Sequence, residues 1–172
     1  MTAKRLKIEY GPISEDNVEM LRKLNAACFP IAYNDTFYED VVQRGDQNLN
    51  KFAYWRGRVV GALCARIETV EGEDRKRIYI MTLGVMAGYR GRQVGTQLIA
   101  SLLEYCEGQL EGDLTGVDEI ALHVQISNEG AIKFYTSRFG FVQGEMVENY
   151  YRRIDPPHCY LLYKKLLVAR NA

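Results

Sequence analysis

The run Arg77-Ile-Tyr-Ile-Met-Thr-Leu83 is followed by the basic turn Tyr89-Arg-Gly-Arg-Gln-Val-Gly-Thr96, and then by a one-sided stripe of Leu98, Ile99, Leu102, Leu103 and Cys106. Strand, turn and helix in that order, with Val117 to Ile126 as the next strand, predict a crossover unit whose two strands run parallel. The turn then lies at a helix N-terminus, where backbone amides and the helix dipole favour anions, and Arg90 and Arg92 add side-chain charge. A basic turn before a helix is by itself most often a solvated loop. Between two such strands it becomes a candidate anion site.

The rest of the chain supplies the layers around this unit. Lys7 to Gly11 alternates as a short strand, and Ser14 is placed to cap a helix with the stripe Val18, Leu21, Leu24 and Cys28. Phe29-Pro-Ile-Ala-Tyr-Asn34 is an aromatic and apolar loop. Thr36 and Glu39 have capping-box spacing for a second short helix that Gly45 can close. Phe52 to Trp55 and Val59 to Ile67 alternate around Arg56-Gly57, which predicts a hairpin. Asn128 can cap a helix from Glu129 to Arg138 closed by Gly140, and strands are expected at Phe141 to Val147 and His158 to Leu166. Asn149-Tyr-Tyr-Arg-Arg-Ile154 is the loop between them, and His158 acquires no role from the pattern. The alternation of elements predicts an α/β (α+β) architecture in one domain, 1–172: a mixed, mostly antiparallel sheet with helices on both faces.

Composition removes several alternatives. Lys plus Arg and Asp plus Glu balance at 22 each, so no global field favours nucleic acid or an anionic membrane, and any basic site is local. No run reaches the roughly 18 apolar residues of a membrane span, and the expected protein is soluble and intracellular. Cys28, Cys64, Cys106 and Cys159 are widely spaced and make no C-x-x-C pair, which favours buried free thiols over the minor alternative of a disulfide or metal role.

Three stretches carry a resemblance: Arg77 to Leu83, Tyr89 to Thr96, and Leu122-His-Val-Gln-Ile-Ser-Asn128 with Phe134-Tyr135 and Phe139-Gly140-Phe141. Their order and wording resemble the GNAT acetyltransferases, and within them the NatE-type N-terminal acetyltransferase catalytic subunits of the San family, from about Leu6 to Leu167. The resemblance implies the GNAT fold: seven strands, about four helices, and splayed central parallel strands between which the pantetheine arm of acetyl-CoA pairs as an added strand. It implies cofactor contacts at Met81, Leu83, Gly84 and Val85, along Tyr89, Arg90, Gly91, Arg92, Gln93, Val94, Gly95 and Thr96, and at Asn128 and Tyr135. The amides near Met81 to Leu83 would polarise the thioester carbonyl. The family pattern is Arg/Gln-x-x-Gly-x-Gly/Ala. Here Gln93 stands at its middle glycine, which puts cofactor affinity in question.

The resemblance makes Tyr79 and His123 candidates for assisting amine deprotonation, and Tyr135 a candidate for hydrogen bonding the leaving thiolate. An isolated histidine on an apolar strand, or a lone Tyr79, would more often be a packed side chain. For Tyr135, core packing is nearly as good a reading. Phe29, Pro30, Ile31 and Tyr33 resemble the segment lining the pocket for a peptide's first side chain, and Tyr150, Tyr151 and Ile154 the facing loop. Together these imply acetyl transfer from acetyl-CoA to the α-amine of peptide or nascent-protein N-termini that retain Met, preferably followed by an apolar residue. The implied partners are those peptides and, through the family, NatA subunits and ribosomes. No direct nucleic-acid or membrane partner is implied, and the setting is cytoplasmic and also nuclear. Two alternatives stay open: a weak or inactive GNAT-fold auxiliary subunit docked on NatA, which Gln93 would suit, and a lysine side-chain acetyltransferase.

Overall fold

The structure is a computed structural model that describes residues 3–109 and 112–167. The two ends of the expected domain 1–172 therefore lie partly outside the described residues. The chain forms two compact units, Met1–Ala65 with Met81–Cys106, and Arg66–Ile80 with Glu107–Ala172. Among the described residues, seven strands run in the order β1-β2-β3-β4-β5-β7-β6. Their ranges are β1 Glu9–Pro12, β2 Asn50–Trp55, β3 Arg58–Thr69, β4 Lys76–Val85, β5 Val117–Gln125, β6 Val142–Val147 and β7 Cys159–Lys165. The helices are α1 Val18–Cys28, α2 Asp35–Arg44, α3 Val94–Gln109 and α4 Glu129–Lys133.

In the first unit, β1 to β3 pair antiparallel, and the β2–β3 turn is Arg56-Gly57. Both turn residues have positive φ, 49° and 75°, the primed-turn geometry that suits the twist of a tight hairpin. The core there gathers Ile13, Leu21, Leu24, Tyr38, Val41, Phe52, Ala62 and Cys64. Helix α1 buries Leu21 and Leu24 as its stripe predicts, but its first turn differs from the expected cap. Asn17 is the N-cap residue and the Ser14 amide instead donates to Asn17 Oδ1 at 2.8 Å. For α2 the cap is Asn34, whose side chain accepts from the Phe37 amide, so the expected capping box at Thr36 starts too late. Gly45 closes α2 at φ 58°, as expected. Helix α3 buries Val94, Leu98, Ile99, Leu102 and Cys106.

In the second unit, β4 and β5 pair parallel, as the crossover requires, with Ile78 opposite Ile120 and Tyr79 opposite Ala121. Strand β7 pairs antiparallel with β5, placing Leu161 opposite His123 and Lys165 opposite Glu119, and β6 pairs antiparallel with β7. Helix α4 is capped by Asn128, which accepts from the Ala131 amide. The expected single helix to Arg138 instead changes at Phe134 into a π-helical turn, Phe134–Arg138, that carries Tyr135. Gly140 follows at φ 70°.

The close approach of β3 to its neighbours in the first unit depends on a missing side chain. A Cβ on Gly61 would lie 2.9 Å from the Gly84 carbonyl oxygen and 3.1 Å from Val94 Cγ1. Main chain cannot swing aside as a flexible side chain does, so Gly61→Ala should destabilise by about 1–3 kcal/mol. A lower urea midpoint at unchanged slope is the expected result. An unchanged midpoint would mean that this contact is not tight.

Candidate active site

Strand alternation sorts the second unit. On β4, Ile78 and Ile80 are buried while Arg77 and Tyr79 share the other, half-buried face. The register puts Arg77 and Tyr79 on the same face as Glu119, Ala121 and His123 of β5. There the Tyr79 hydroxyl lies 2.6 Å from His123 Nδ1. Tyr150, from the loop after β6, completes the group: its ring stacks on His123 at 4.3 Å and 21°, and its hydroxyl is 3.3 Å from that of Tyr79. Tyr151 meets Tyr150 edge to face at 5.0 Å, and Ile154 is half-buried in the same loop. Tyr79, His123 and Tyr150, expected in two separate roles, are therefore in direct contact.

Burial first, and then Tyr150, raises the Tyr79 phenol far above its ordinary range. Burial, followed by the Arg77 charge, holds His123 below the ordinary imidazole value, against an opposing pull from Glu68. The proton thus stays on the phenol and the imidazole is neutral, and the imidazole tautomer sets which of the two donates in the 2.6 Å bond. The Tyr79 oxygen retains lone pairs to accept from an incoming amine or a water.

A charged group on the same face was not foreseen. Glu68 on β3 accepts from Arg77 at 2.8 Å and pairs with Arg66 at 3.2 Å. The guanidinium carbons of Arg66 and Arg77 lie 5.8 and 5.6 Å from the centre of the Tyr79 ring. Buried Glu119 pairs with Lys165 at 2.7 Å and Arg75 at 3.3 Å, with Arg77 at 3.9 Å. The available signal was the i, i+2 spacing of Arg66 with Glu68 and of Arg77 with Tyr79, which puts each pair on one strand face.

Tyr135 is buried, its ring edge to face with Phe134 at 5.0 Å and Phe141 at 5.2 Å. Burial pushes its phenol up, so it is available only as a proton-bearing donor.

Of the remaining expected residues, Asn128 caps α4 in the second unit and the others lie in the first. Met81, Leu83 and Val85 share the half-buried face of β4, and Gly84 lies on its buried face. A Cβ on Gly84 would meet Leu24 Cδ2 at 2.7 Å and Phe29 Cζ at 3.4 Å, so glycine makes room for the loop after α1. In that loop Phe29 and Tyr33 meet edge to face at 6.2 Å, and Tyr33 and Phe37 lie 4.7 Å apart. Pro30 and Ile31 are exposed.

The turn Arg90–Gln93 leads directly into the 16-residue helix α3, whose first residues are Val94, Gly95 and Thr96. Arg90 Nε donates to the Val85 carbonyl at 2.9 Å, the Arg92 carbonyl accepts from the Leu6 amide at 3.1 Å, and the Arg92 guanidinium lies over Trp55, which packs against Tyr89. Gly91 and Gln93 both have positive φ, 73° and 63°. This explains the family glycine at position 93: the backbone there is left-handed. Gln93 adopts the same conformation with its side chain exposed, leaving the turn intact. Helix-opening amides, with Arg90 and Arg92 in the turn before them, are donors of the kind a pyrophosphate requires, so the residues fit acetyl-CoA. Among the described residues, no group of three or more His, Cys, Asp or Glu could hold a metal ion, and no helix is long and apolar enough to cross a membrane. Among the described residues the four cysteines form no disulfide, with Cys64, Cys106 and Cys159 buried and Cys28 half-buried.

Residues 18–141 match the model of the acetyltransferase (GNAT) family. The chain belongs to that family. This GNAT chain is 44% identical over 160 residues to N-alpha-acetyltransferase 50 of Danio rerio, covering 93% of itself and 89% of that protein. It is 43% identical to the probable N-acetyltransferase san of Drosophila melanogaster, covering 94% and 83%. Among solved structures it resembles Arabidopsis thaliana Naa50 in complex with the bisubstrate analogue CoA-Ac-MVNAL, at TM-score 0.81 and 38% identity, covering 94% of this chain and all of that one.

Two outcomes test the GNAT site. A left-handed conformation costs a residue with a Cβ about 1–2 kcal/mol, and glycine's greater freedom when unfolded returns about 0.4–1 kcal/mol of that. Gln93→Gly should therefore stabilise by up to about 1 kcal/mol, read as a small rise in melting temperature, and calorimetric titration should find acetyl-CoA affinity changed by no more than the scale of one hydrogen bond, about 1 kcal/mol. Undetectable binding by the wild type, restored by glycine, would contradict this. The second concerns His123. A histidine held below its unfolded value contributes stability that is complete above about pH 6.5 and is lost as pH falls through the folded midpoint. Arg77→Met removes a cation that lowers the imidazole and leaves Glu68 paired with Arg66 alone, so the imidazole midpoint measured by NMR should rise. A fall or no change would reject the assigned coupling.

Proposed function

We propose that this chain transfers the acetyl group of acetyl-CoA to the α-amine of peptide or protein N-termini, with preference for termini that retain Met followed by an apolar residue. The observation that carries the mechanism is the 2.6 Å bond between Tyr79 and His123 in a chain of this family. The turn Arg90 to Thr96 would take the pyrophosphate, and β4 beyond Tyr79 would pair with the pantetheine amides. The amine would pass its proton to the Tyr79 oxygen, directly or through a water, as Tyr79 passes its own proton to neutral His123, which becomes the imidazolium. Tyr150 would hold the peptide backbone close to that oxygen. Tyr135 would donate to the departing thiolate, which then takes up a proton to leave as CoA. Attack is direct, with no covalent enzyme intermediate.

The Met preference draws support from the aromatic segment Phe29 to Tyr33 and from the Naa50 structure, whose bound analogue begins Met-Val. A buried Met side chain gains about 1.5–3 kcal/mol that Ser or Ala cannot. Gln93 keeps the left-handed turn with its side chain exposed, which speaks against the inactive-subunit alternative. The family resemblance supports, as further parts of the same proposal, association with NatA subunits and through them ribosomes, and a cytoplasmic and also nuclear setting.

A panel of free-amine peptides set against N-blocked lysine peptides tests the reading. Met-Leu peptides should be acetylated faster than Ser- or Ala-starting ones, and blocked lysine peptides should be poor substrates. Equal rates across the panel would reject the specificity. Tyr79→Phe and His123→Ala should each reduce turnover, on the scale of about 10²–10⁴-fold for general-base assistance, with acetyl-CoA binding retained. Wild-type turnover in both variants would reject the roles.

A further inference from the structure

Tyr150 is 43% exposed despite stacking on His123, and Glu148, Asn149, Arg152, Arg153 and Asp155 around it are exposed as well. Burial alone does not hold this ring in place. The amides on either side of it do. The Tyr151 amide donates to the Pro157 carbonyl at 2.8 Å, and the Asn149 amide donates to His158 Nδ1 at 3.0 Å. Asn149 has φ 53°, a left-handed conformation that turns the chain immediately before Tyr150. The receiving end is itself fixed: Gln125 Nε2 donates to the Pro156 carbonyl at 2.9 Å and the Ile126 amide to the His158 carbonyl at 3.1 Å. Strand β5, which carries His123, thus anchors at its end the segment that holds Tyr150.

We propose that His158 is a positioning residue for the reaction: its imidazole accepts the Asn149 amide, fixes the left-handed turn, and so keeps Tyr150 stacked on His123 with its hydroxyl at Tyr79. The pairing of Val147 with Cys159 already registers the two strands of the hairpin. The imidazole is therefore spent on one amide at the loop tip, beside the reacting group. Because the Asn149 N–H is the donor, Nδ1 is the unprotonated nitrogen of the ring. This inference rests on the function proposed above.

The experiment compares His158→Leu, which removes the acceptor, with His158→Asn, whose Oδ1 can accept in place of Nδ1, using full-length protein and a Met-Leu peptide. His158→Leu should lower kcat/KM for the peptide roughly tenfold, the scale of one lost hydrogen bond, with acetyl-CoA affinity unchanged. His158→Asn should restore most of the loss. In a Tyr150→Ala background His158→Leu should have no further effect, whereas a general structural role would add to it. Full activity of His158→Leu, or an equal loss in both backgrounds, would overturn the proposal. So would failure of His158→Leu to fold where Tyr150→Ala folds, since the imidazole would then be required by the fold. NMR gives a readout independent of turnover. The stacked Tyr150 ring should shield the His123 ring protons, and His158→Leu should shift them to the positions seen in Tyr150→Ala. If the wild type acetylates no α-amine peptide the proposed function fails, and these shifts alone decide whether His158 holds Tyr150.

Discussion

The parallel register that sets Tyr79 opposite Ala121 decides what the face around His123 contains. Side chains alternate with a period of two, so a slip of one residue would carry Tyr79 to the face of Ile78 and Ile80 and bring those side chains toward His123. The register is adjusted by an irregularity between Lys76 and Ile78, ahead of the residues that matter chemically. With that fixed, the other contacts follow. Arg77 comes within 3.9 Å of Glu119, the antiparallel β5–β7 pairing brings Lys165 to the same carboxylate, and Tyr79 lies within hydrogen-bonding reach of His123.

The ion pairs on this face are better understood as alignment than as a store of stability. Glu119 is buried, and taking a carboxylate out of water costs several kcal/mol unless close cations and hydrogen bonds offset it. Arg75, Arg77 and Lys165 do so, and Glu68 and Arg66 extend the charge to the Tyr79 ring. Arg77 is the shared member: it pairs with Glu68, reaches Glu119 and depresses His123. A charge held between two carboxylates has few positions open to it, so its influence on the imidazole is constant.

How much of this was legible in the sequence depended on whether periodicity or loop geometry carried it. The strands and helices were readable because their apolar spacing is strong, and the crossover dictated the parallel pair. Two helix starts were misplaced because several Ser, Thr and Asn side chains compete for the first-turn amides, and local backbone decides between Ser14 and Asn17 or between Asn34 and Thr36. Gln93 was visible as a departure, but only the left-handed backbone shows why glycine belongs there. The family wording pointed to Tyr79 and His123. It did not give Tyr150 its place on His123, nor His158 any role, because residues 148–158 have no period and their arrangement depends on main-chain bonds across the loop.

The depressed imidazole also bears on which amine the site suits. An α-amine, with an ordinary pKa of about 7.7–8.0, is already partly neutral near pH 7, whereas a lysine amine at about 10.4 is almost wholly charged. That difference of roughly 2.5 units amounts to about 3 kcal/mol of extra deprotonation cost. A His123 held below its ordinary value is a weak base, and Tyr79 at rest keeps its own proton while presenting an oxygen that can accept another hydrogen bond. Such a pair can receive a proton from an α-amine, or orient a water that does, but supplies little driving force against a lysine. A stronger base would need an adjacent carboxylate, and Glu68 is instead engaged by Arg66 and Arg77. The same guanidinium groups that align the face therefore keep its basicity low, matched to an amine that is easily deprotonated.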